Sequence, residues 1–238
     1  QGTKTLLENF LMQRQHEVQL VAGSSTLKTD PNKAEYGLTR YLETFEQFDA
    51  FIYTDLNGQI IAQHGTTLLN ETHSNFPSAV KDWLAKAQQD QKVLDYAITV
   101  PGDKQRYLVY PVQVVHDGIA YGWLFGQVNQ DNLTKLSSPI KIGETGRVTL
   151  FNEKGILNGH PLKSRYGDDM SHYPIMQKPI KESKDDLGGF FVSDDGNEKW
   201  GMALLLTEPM NKLNLKWGII VDQTKDELYA PIQFLAQI

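Results

Sequence analysis

The sequence contains no cysteine, which excludes disulfide bonds, thiolate metal sites and cysteine nucleophiles. It has no block of lysine and arginine either, and its net charge is −6. Nucleic-acid binding needs a clustered basic surface that neutralises phosphates, so we predict no nucleic-acid partner. No apolar run reaches the roughly 18 residues of a membrane span. Because both ends of the chain lie inside helical patterns, we interpret it as a fragment, and we expect any membrane spans to lie outside it.

Motifs of catalysis and metal binding are also missing. The glycine-rich stretch 143–146 is followed by a strand pattern instead of Gly-Lys-Ser/Thr and a helix, so it predicts a turn. Residues 194–197 resemble a calcium loop without its downstream glutamate, which predicts a hairpin turn. The six histidines show no metal-binding spacing, and no serine lies in a Gly-x-Ser-x-Gly elbow. We therefore predict no enzymatic activity, no metal and no cofactor.

One feature is present twice, a strand, a tight turn and a second strand. The first copy is Phe51–Ala62 and the second is Val148–Leu157. In each copy an apolar run meets a turn that begins with Asp55 or Asn152 and has glycine three residues later. The Asp or Asn side chain can hold such a turn, and the glycine supplies positive φ.

The two copies predict a duplicated module. Gly58 and Gly155 lie 97 residues apart, and Trp123 and Trp217 lie 94 apart. Each hairpin is followed by a helical or polar middle and then by three strands. The first set of three strands is predicted at 93–100, 107–115 and 120–128, after a helix at 77–89. The second set is predicted at 189–193, 200–207 and 217–221, after a polar middle at 162–184 with only a short helical possibility.

This order of elements predicts an α+β fold, with antiparallel sheets in two tandem PAS-like modules. Apolar spacing predicts a long helix over residues 3–27 and a second helical piece over 34–47 before the first hairpin. The predicted divisions are a leading helical segment over residues 1–47, modules 48–135 and 136–223 joined through a connector at 129–141, and a C-terminal helix 224–238. The last helix starts with a capping box, Thr224-x-x-Glu227.

The long first helix carries a narrow apolar stripe, formed by Leu7, Leu11, Val18 and Val21 and interrupted by Arg14. Such a stripe favours packing along the flank of a domain. Its spacing is also close to a heptad pattern, so a homodimer through this helix is the alternative.

Aromatic residues point to the module 48–135 as the one with a ligand pocket, because small-ligand pockets favour aromatic walls with a few polar tips. The second module is richer in aliphatic residues such as Leu204, Leu205 and Leu206. The aromatic candidates for ligand binding are Tyr53, Trp83, Tyr96, Tyr110 and Trp123.

Several stretches carry a resemblance to a known family. They are 51–58, Tyr110-Pro111-Val112, 121–126 and the run from Ile142-Gly143-Glu144-Thr145-Gly146 through Asn152-Glu153-Lys154-Gly155 to His160-Pro161. With the long leading helix and the final helix, the chain resembles the double Cache (dCache) extracellular sensor domain of bacterial transmembrane receptors.

The resemblance implies a periplasmic or extracellular domain between two membrane spans. It also implies that the module 48–135 is membrane-distal and binds a small molecule, while 136–223 is membrane-proximal. A methyl-accepting chemotaxis receptor is the expected whole protein, and a sensor histidine kinase or diguanylate cyclase is the alternative. A module that recognises a periplasmic binding protein is an alternative of another class. A cytosolic hydrolase or transferase is disfavoured by the missing motifs.

Amino-acid-binding members of the resembled family carry Arg-x-Trp-Tyr on the pocket helix, Tyr-x-Asp on the next strand and Asp on the last strand. The matching positions here are Lys81 and Trp83, then Tyr96, then Gln127. Lys81 could attract a carboxylate, but both carboxylates that would hold an ammonium group are missing. We therefore predict a small-molecule ligand that is not a standard amino acid, with Lys81 and Gln127 added to the candidate site.

Overall fold

The structure is a computed structural model, and it describes residues 2–28, 30–66, 78–89, 96–101, 106–137 and 139–235. Within them are seven α-helices and ten strands. The helices are α1 (Gly2–Ala22), α2 (Pro31–Thr44), α3 (Ser78–Ala87), α4 (Gln130–Ser137), α5 (Gln177–Glu182), α6 (Thr207–Leu213) and α7 (Lys225–Leu235). The strands are β1 (Phe48–Thr54), β2 (Ile60–Gly65), β3 (Ile98–Pro101), β4 (Arg106–His116), β5 (Ile119–Val128), β6 (Arg147–Phe151), β7 (Leu157–Gly159), β8 (Asp186–Val192), β9 (Glu198–Leu205) and β10 (Gly218–Thr224). None of the described helices has the length and apolar character of a membrane span.

The chain divides into two compact units. The first module is Asn9–Gln130 with Asn211–Leu215, and the second module is Gln1–Glu8, Asp131–Met210 and Lys216–Ile238. Each contains one antiparallel five-stranded sheet, ordered β2-β1-β5-β4-β3 in the first module and β7-β6-β10-β9-β8 in the second. The predicted α+β architecture of two PAS-like modules with a leading and a final helix is therefore confirmed.

The repeated hairpin has the same construction in both sheets. Asp55 Oδ1 accepts the backbone N–H groups of Asn57 and Gln59, each at 2.8 Å, and Gly58 has φ +87°. In the second module Asn152 Oδ1 accepts from the matching positions, Lys154 and Ile156, at 2.9 and 3.1 Å. The same turn chemistry thus closes the first hairpin of each sheet.

The pairing registers confirm the repeat. A β-bulge falls between Tyr53 and Thr54 in the β1–β2 pair, and the β6–β7 pair has its bulge 97 residues later, between Leu150 and Phe151. The tryptophan landmark is off by one residue, however. Trp123 pairs with Thr54, and the matching partner of Phe151 is Gly218, so Trp217 faces the opposite side of its sheet.

Helix α1 packs its apolar stripe within the chain. Leu7, Leu11, Val18 and Val21 are all fully buried, so the flank-packing interpretation of the stripe is the one that the structure shows. The helix ends at Ala22, five residues before the predicted end. Ser24 accepts the N–H of Thr26 and begins a separate 3₁₀ turn.

Two helices were missed by the sequence patterns, α4 in the predicted connector and α6 after β9. Helix α6 starts where Thr207 N–H donates to Glu8 Oε1 at 2.6 Å, a cap supplied from 199 residues away. The predicted start of β3 at residue 93 lies outside the described residues, and β8 begins at Asp186, three residues before its prediction.

The capping box predicted at Thr224 and Glu227 is wrong. The carboxylate of Glu227 instead accepts the backbone N–H groups of Glu144 and Thr145, at 2.5 and 2.8 Å. Thr224 N–H donates to Thr145 Oγ1 at 3.2 Å. Local spacing could not reveal this, because the turn at 143–145 competes successfully for the same carboxylate.

Candidate functional site

The candidate site lies on one face of the first sheet, where helix α3 packs. The helix presents Val80, Trp83, Leu84 and Ala87 at helical spacing, and all four are buried. Alternation along the strands sends every second residue to this face. The strand side chains packed here are Ile52 on β1, Ile98 and Val100 on β3, Val109 on β4, and Trp123 and Phe125 on β5. We call this set with the four helix residues the α3-face cluster.

An aromatic pair stands at the centre of the α3-face cluster. The rings of Trp83 and Trp123 meet edge to face, with centroids 5.2 Å apart and planes at 89°. Phe125 lies 6.0 Å from Trp83 in a similar orientation. The Trp123 indole N–H donates to the carbonyl of Leu56 at 3.3 Å, so the hairpin turn fixes its orientation. Edge-to-face packing with a hydrogen bond holds these rings in defined positions.

The structure brings Gln127 to the same face of the sheet. Gln127 pairs directly with Val109 across β4 and β5, and residues directly opposite in a pair share a face. Gln127 is buried. Its amide therefore places a donor and an acceptor at the edge of an otherwise apolar surface.

The other two residues of this group occupy less central positions. Lys81 lies on α3 and is exposed, one residue after the buried Val80. Tyr96 is half-buried, two residues before Ile98 of the α3-face cluster. Both lie at the border of the face, next to elements that contribute to it.

Tyr53 and Tyr110 are not brought together with this group. Tyr53 pairs with Leu124 and Tyr110 with Gly126, so both belong to the face that α1 covers. The Tyr110 hydroxyl donates to the carbonyl of Leu11 at 2.9 Å, and burial raises its pKa strongly. Burial also raises the pKa of Tyr53. The hydrogen bond of Tyr110 fastens the first helix to the sheet.

No group of three or more histidine, aspartate or glutamate side chains is arranged to hold a metal ion within the residues that the structure describes. The sequence patterns overlooked the aliphatic half of the α3-face cluster, Val80, Ile98, Val100 and Val109. Alternation in the predicted strands was the signal that could have separated the two faces.

Comparison with known families identifies the fold. The sequence profile of the double Cache family, described as "Cache domain", matches residues 1–232. The predicted resemblance is therefore confirmed over nearly the whole chain. A comparison with curated protein sequences finds no match.

Several solved structures with this fold are ligand-binding domains of chemoreceptors. The Pseudomonas aeruginosa amino acid chemoreceptor PctB in complex with L-Arg has a TM-score of 0.68 and 18% identity, covering 96% of this chain and 93% of that chain. CtaA of Pseudomonas fluorescens in complex with L-isoleucine has a TM-score of 0.63 and 16% identity, covering 96% and 90%. PctC of Pseudomonas aeruginosa in complex with GABA has a TM-score of 0.62 and 16% identity, covering 92% and 94%.

These neighbours overturn the prediction that the ligand is not a standard amino acid. That prediction was wrong because it treated two missing carboxylates as an exclusion. An ammonium group can also be held by neutral oxygen acceptors and by aromatic faces, and buried Gln127 and the indole pair belong to those classes. The prediction is corrected on this ground, since domains of this fold bind L-Arg, L-isoleucine and GABA.

Proposed function

This chain belongs to the Cache domain family, and from that premise we propose that it is the ligand-binding sensor domain of a transmembrane receptor. The ligand binds to the first module at the α3-face cluster. The observation that carries the proposal is the buried Trp83–Trp123 pair with Gln127 on the same face. Aromatic walls with one or two polar groups are typical of small-molecule sites.

The ligand class follows from the chemistry of that face. An indole face attracts a cationic amine, and the amide oxygen of Gln127 can accept a hydrogen bond from it. Lys81, exposed at the border, attracts a carboxylate. We propose a small amine or amino acid, a class that includes the ligands of the neighbouring chemoreceptor domains.

Binding transmits a signal only if the ligand prefers one of two conformations of the domain. We propose that the ligand selects one position of α3 against the sheet. The exit helix α7 then passes the change through the membrane. The domain is periplasmic or extracellular in this scheme, and the whole protein is a chemotaxis receptor. Reading the coding sequence beyond residue 238 tests the receptor class, because a kinase or cyclase domain there would replace the chemotaxis assignment.

A thermal-shift screen of amino acids and amines on the purified chain tests the ligand proposal, because a ligand that binds only the native state must raise the melting temperature. Affinities of the hits are then measured by calorimetry with two variants. Trp83→Phe should weaken binding about tenfold, since it removes the larger ring from a central position. Trp200→Phe is the matched control, because Trp200 is a half-buried tryptophan of the second module.

Equal losses in the two variants, with both folded by circular dichroism, would contradict the site. A panel in which no amine or amino acid shifts the melting temperature would contradict the ligand class.

A further inference from the structure

The second module contains a cavity of about 230 Å³ on the helix-covered face of its sheet. Its apolar wall is formed by Phe151 of β6, Leu205 of β9, Ile180 of α5 and Met210 of α6. Its volume equals that of roughly eight liquid waters, which is the size of a small organic molecule.

At the equivalent positions of the first module lie the indole rings of Trp83 and Trp123. A side chain on Gly58 would lie 2.8 Å from Leu84 of α3, and a side chain on Gly155 would lie 2.8 Å from Ile180 of α5. These contacts make Ile180 the counterpart of Leu84. The residue before each is Trp83 in α3 and Pro179 in α5, and Pro179 lines the cavity.

The second indole is lost in the same way. Trp123 occupies the β5 position opposite Thr54, and the matching position of β10, opposite Phe151, is Gly218. The two replacements, proline for Trp83 and glycine for Trp123, remove two indoles from one face of the module. Of the two, Pro179 lines the cavity, whereas the space beside Gly218 is taken by the ring of Phe151, which forms part of the cavity wall.

A polar group belongs to the same wall. Asn152 lines the cavity and is fully buried. Its Oδ1 is used by the hairpin turn, but its Nδ2 has no hydrogen-bond partner among the described residues. In the first module the equivalent residue is Asp55, whose carboxylate holds the turn without any N–H group. A buried amide donor without a partner is costly, and a ligand oxygen would satisfy it.

Two more donors stand at the exposed side of the wall. Lys216 is exposed and carries a positive charge, and Ser183 supplies a hydroxyl. With the amide of Asn152 they offer three donors opposite an aliphatic and aromatic wall. Glu153 is also in the lining, and its negative charge disfavours ligands with a second carboxylate.

We propose that this cavity is a second ligand site, specific for small monocarboxylates with an apolar body. The carboxylate accepts hydrogen bonds from Asn152 Nδ2 and pairs with Lys216, while the apolar body lies against Phe151, Ile180 and Met210. The site is independent of the one proposed in the first module. A receptor with both sites responds to two classes of ligand, and both signals pass through α7.

Methyl NMR of the whole chain labelled at methionine tests the proposal, because Met210 lines the cavity and reports on it directly. The probes are butyrate and benzoate, with butyramide and benzamide as uncharged controls of the same shape. Titration with the acids should shift the Met210 signal to saturation. The amides should bind at least about tenfold more weakly, since they lack the charge that pairs with Lys216.

Two variants assign the recognising groups. Asn152→Asp keeps the acceptor that holds the turn, as Asp55 does, but replaces the amide donor by a repelling charge, so acid binding should be lost. Lys216→Gln, at an exposed position, should weaken acid binding about tenfold without affecting the fold. Asp55→Asn is the reciprocal control and should leave the Met210 titration unchanged.

If neither butyrate nor benzoate shifts the Met210 methyl signal, the proposed site is wrong. Equal binding of acids and amides would overturn the carboxylate specificity. Trp83→Phe separates this proposal from the first one, because it should weaken amine or amino acid binding while the Met210 titration stays as in the parent chain. Loss of the Met210 response in Trp83→Phe would show that the acids bind in the first module, against the proposal.

Discussion

The two modules of this chain share one construction and differ in what covers the helix face of the sheet. Both have the same strand order, the same turn geometry and a bulge at positions 97 residues apart. On the helix face, the first module has Trp83 and Trp123, whereas the second has Pro179 and Gly218 with a cavity of about 230 Å³. The turns and the alternation of apolar residues along the strands thus define the fold, while the side chains on the helix face differ between the modules.

The difference teaches that the hairpin and the helix face are under separate physical constraints. The turn needs an acceptor at one position and positive φ at another, and both modules meet that need. The helix face needs only apolar volume, which includes two indoles in one module and Phe151, Tyr173 and Phe191 in the other.

Truncation at the equivalent positions 83 and 179 should give the largest difference between the modules. Trp83→Ala removes a buried indole that packs edge to face on two rings, and we expect a loss of about 4 kcal/mol in the free energy of unfolding. Pro179→Ala removes little packed volume beside an existing cavity and should cost less than about 1 kcal/mol. Urea unfolding followed by circular dichroism measures both, and similar losses would break the comparison.

Turn chemistry and the apolar periods of the long elements were sufficient to predict most of this architecture from the sequence. The hairpin turns are local, so Asp55, Gly58 and their counterparts identify them without tertiary information. Helix α6 was missed because its cap, Glu8, is distant in sequence. The equivalence of Trp123 and Trp217 failed by one residue because spacing alone does not define register, and in a sheet one residue reverses the face.

The candidate site was predicted less well than the fold. Aromatic content placed Trp83 and Trp123 in one candidate group with Tyr53 and Tyr110, whereas the strand pairing puts the two tyrosines on the opposite face of the sheet. The cavity of the second module could not be predicted, because it depends on how α5 packs against the sheet. Asn152 looked like a turn residue and is one, and only its buried surroundings reveal the unused donor.

The contribution of α1 also differs between the modules. In the second module its Glu8 caps α6, whereas in the first module it buries an ion pair, Arg14 and Glu17, with a 2.8 Å contact. Nε and Nη1 of Arg14 have no hydrogen-bond partner in the described ranges of the chain. Arg14, which interrupts the apolar stripe in the sequence, therefore belongs to the buried surface.

Breaking the Arg14–Glu17 ion pair should give the second-largest loss in the free energy of unfolding. The loss should differ according to which partner is replaced. Glu17→Gln leaves a guanidinium that cannot lose its proton, so we expect a loss of about 3 kcal/mol. Arg14→Met leaves a carboxyl that can take a proton, and burial already raises the pKa of Glu17 against the opposing effect of Arg14. Its loss should be about 1 kcal/mol near pH 5.

The pH dependence of Arg14→Met follows from that raised pKa. Below the pKa that Glu17 has in the unfolded chain, its carboxyl group is neutral in both the folded and the unfolded state, and its burial costs least. As pH rises through the folded pKa, stability is lost. Thermal unfolding at pH 5 and pH 7 should therefore show a larger deficit at pH 7. A deficit that stays constant would mean that Glu17 remains charged without its partner.

A third contrast concerns His160, whose counterpart 97 residues earlier is Gln63. Burial, and then the charge of Arg165, lower the pKa of His160 to about 4. Its Nδ1 accepts the N–H of Leu162 at 2.9 Å, which requires the neutral ring. Because the folded pKa lies below the unfolded value of about 6.5, stability is present above that value and is lost as pH falls towards 4.

Proton NMR of the histidine rings should show one signal that titrates near 4, and His160→Gln should remove it. The variant makes the position resemble Gln63 of the first module, and it should lose less stability than the parent chain between pH 6.5 and 4. A ring that titrates near 6.5 would contradict the buried neutral state.

The smallest effect on stability is expected at the contact between Glu227 of α7 and the turn at residues 143–145. Hydrogen bonds from the Thr145 hydroxyl and from the backbone N–H groups of Glu144 and Thr145 lower the pKa of Glu227 to about 2. The contribution of this group is present above the ordinary glutamate pKa and is lost as pH falls through 2. A side chain on Gly143, at φ +63°, would collide with Glu227 Oε1.

Gly143→Ala should therefore lower stability by about 1 kcal/mol and raise the pKa of Glu227 towards its ordinary value, as measured by carboxyl carbon NMR. Gly196→Ala is the matched control, because Gly196 has φ +80° and open space around it. It carries the same backbone strain without touching the carboxylate, so it should leave the pKa of Glu227 unchanged. An unchanged pKa in Gly143→Ala would mean that the turn does not hold the exit helix through this group.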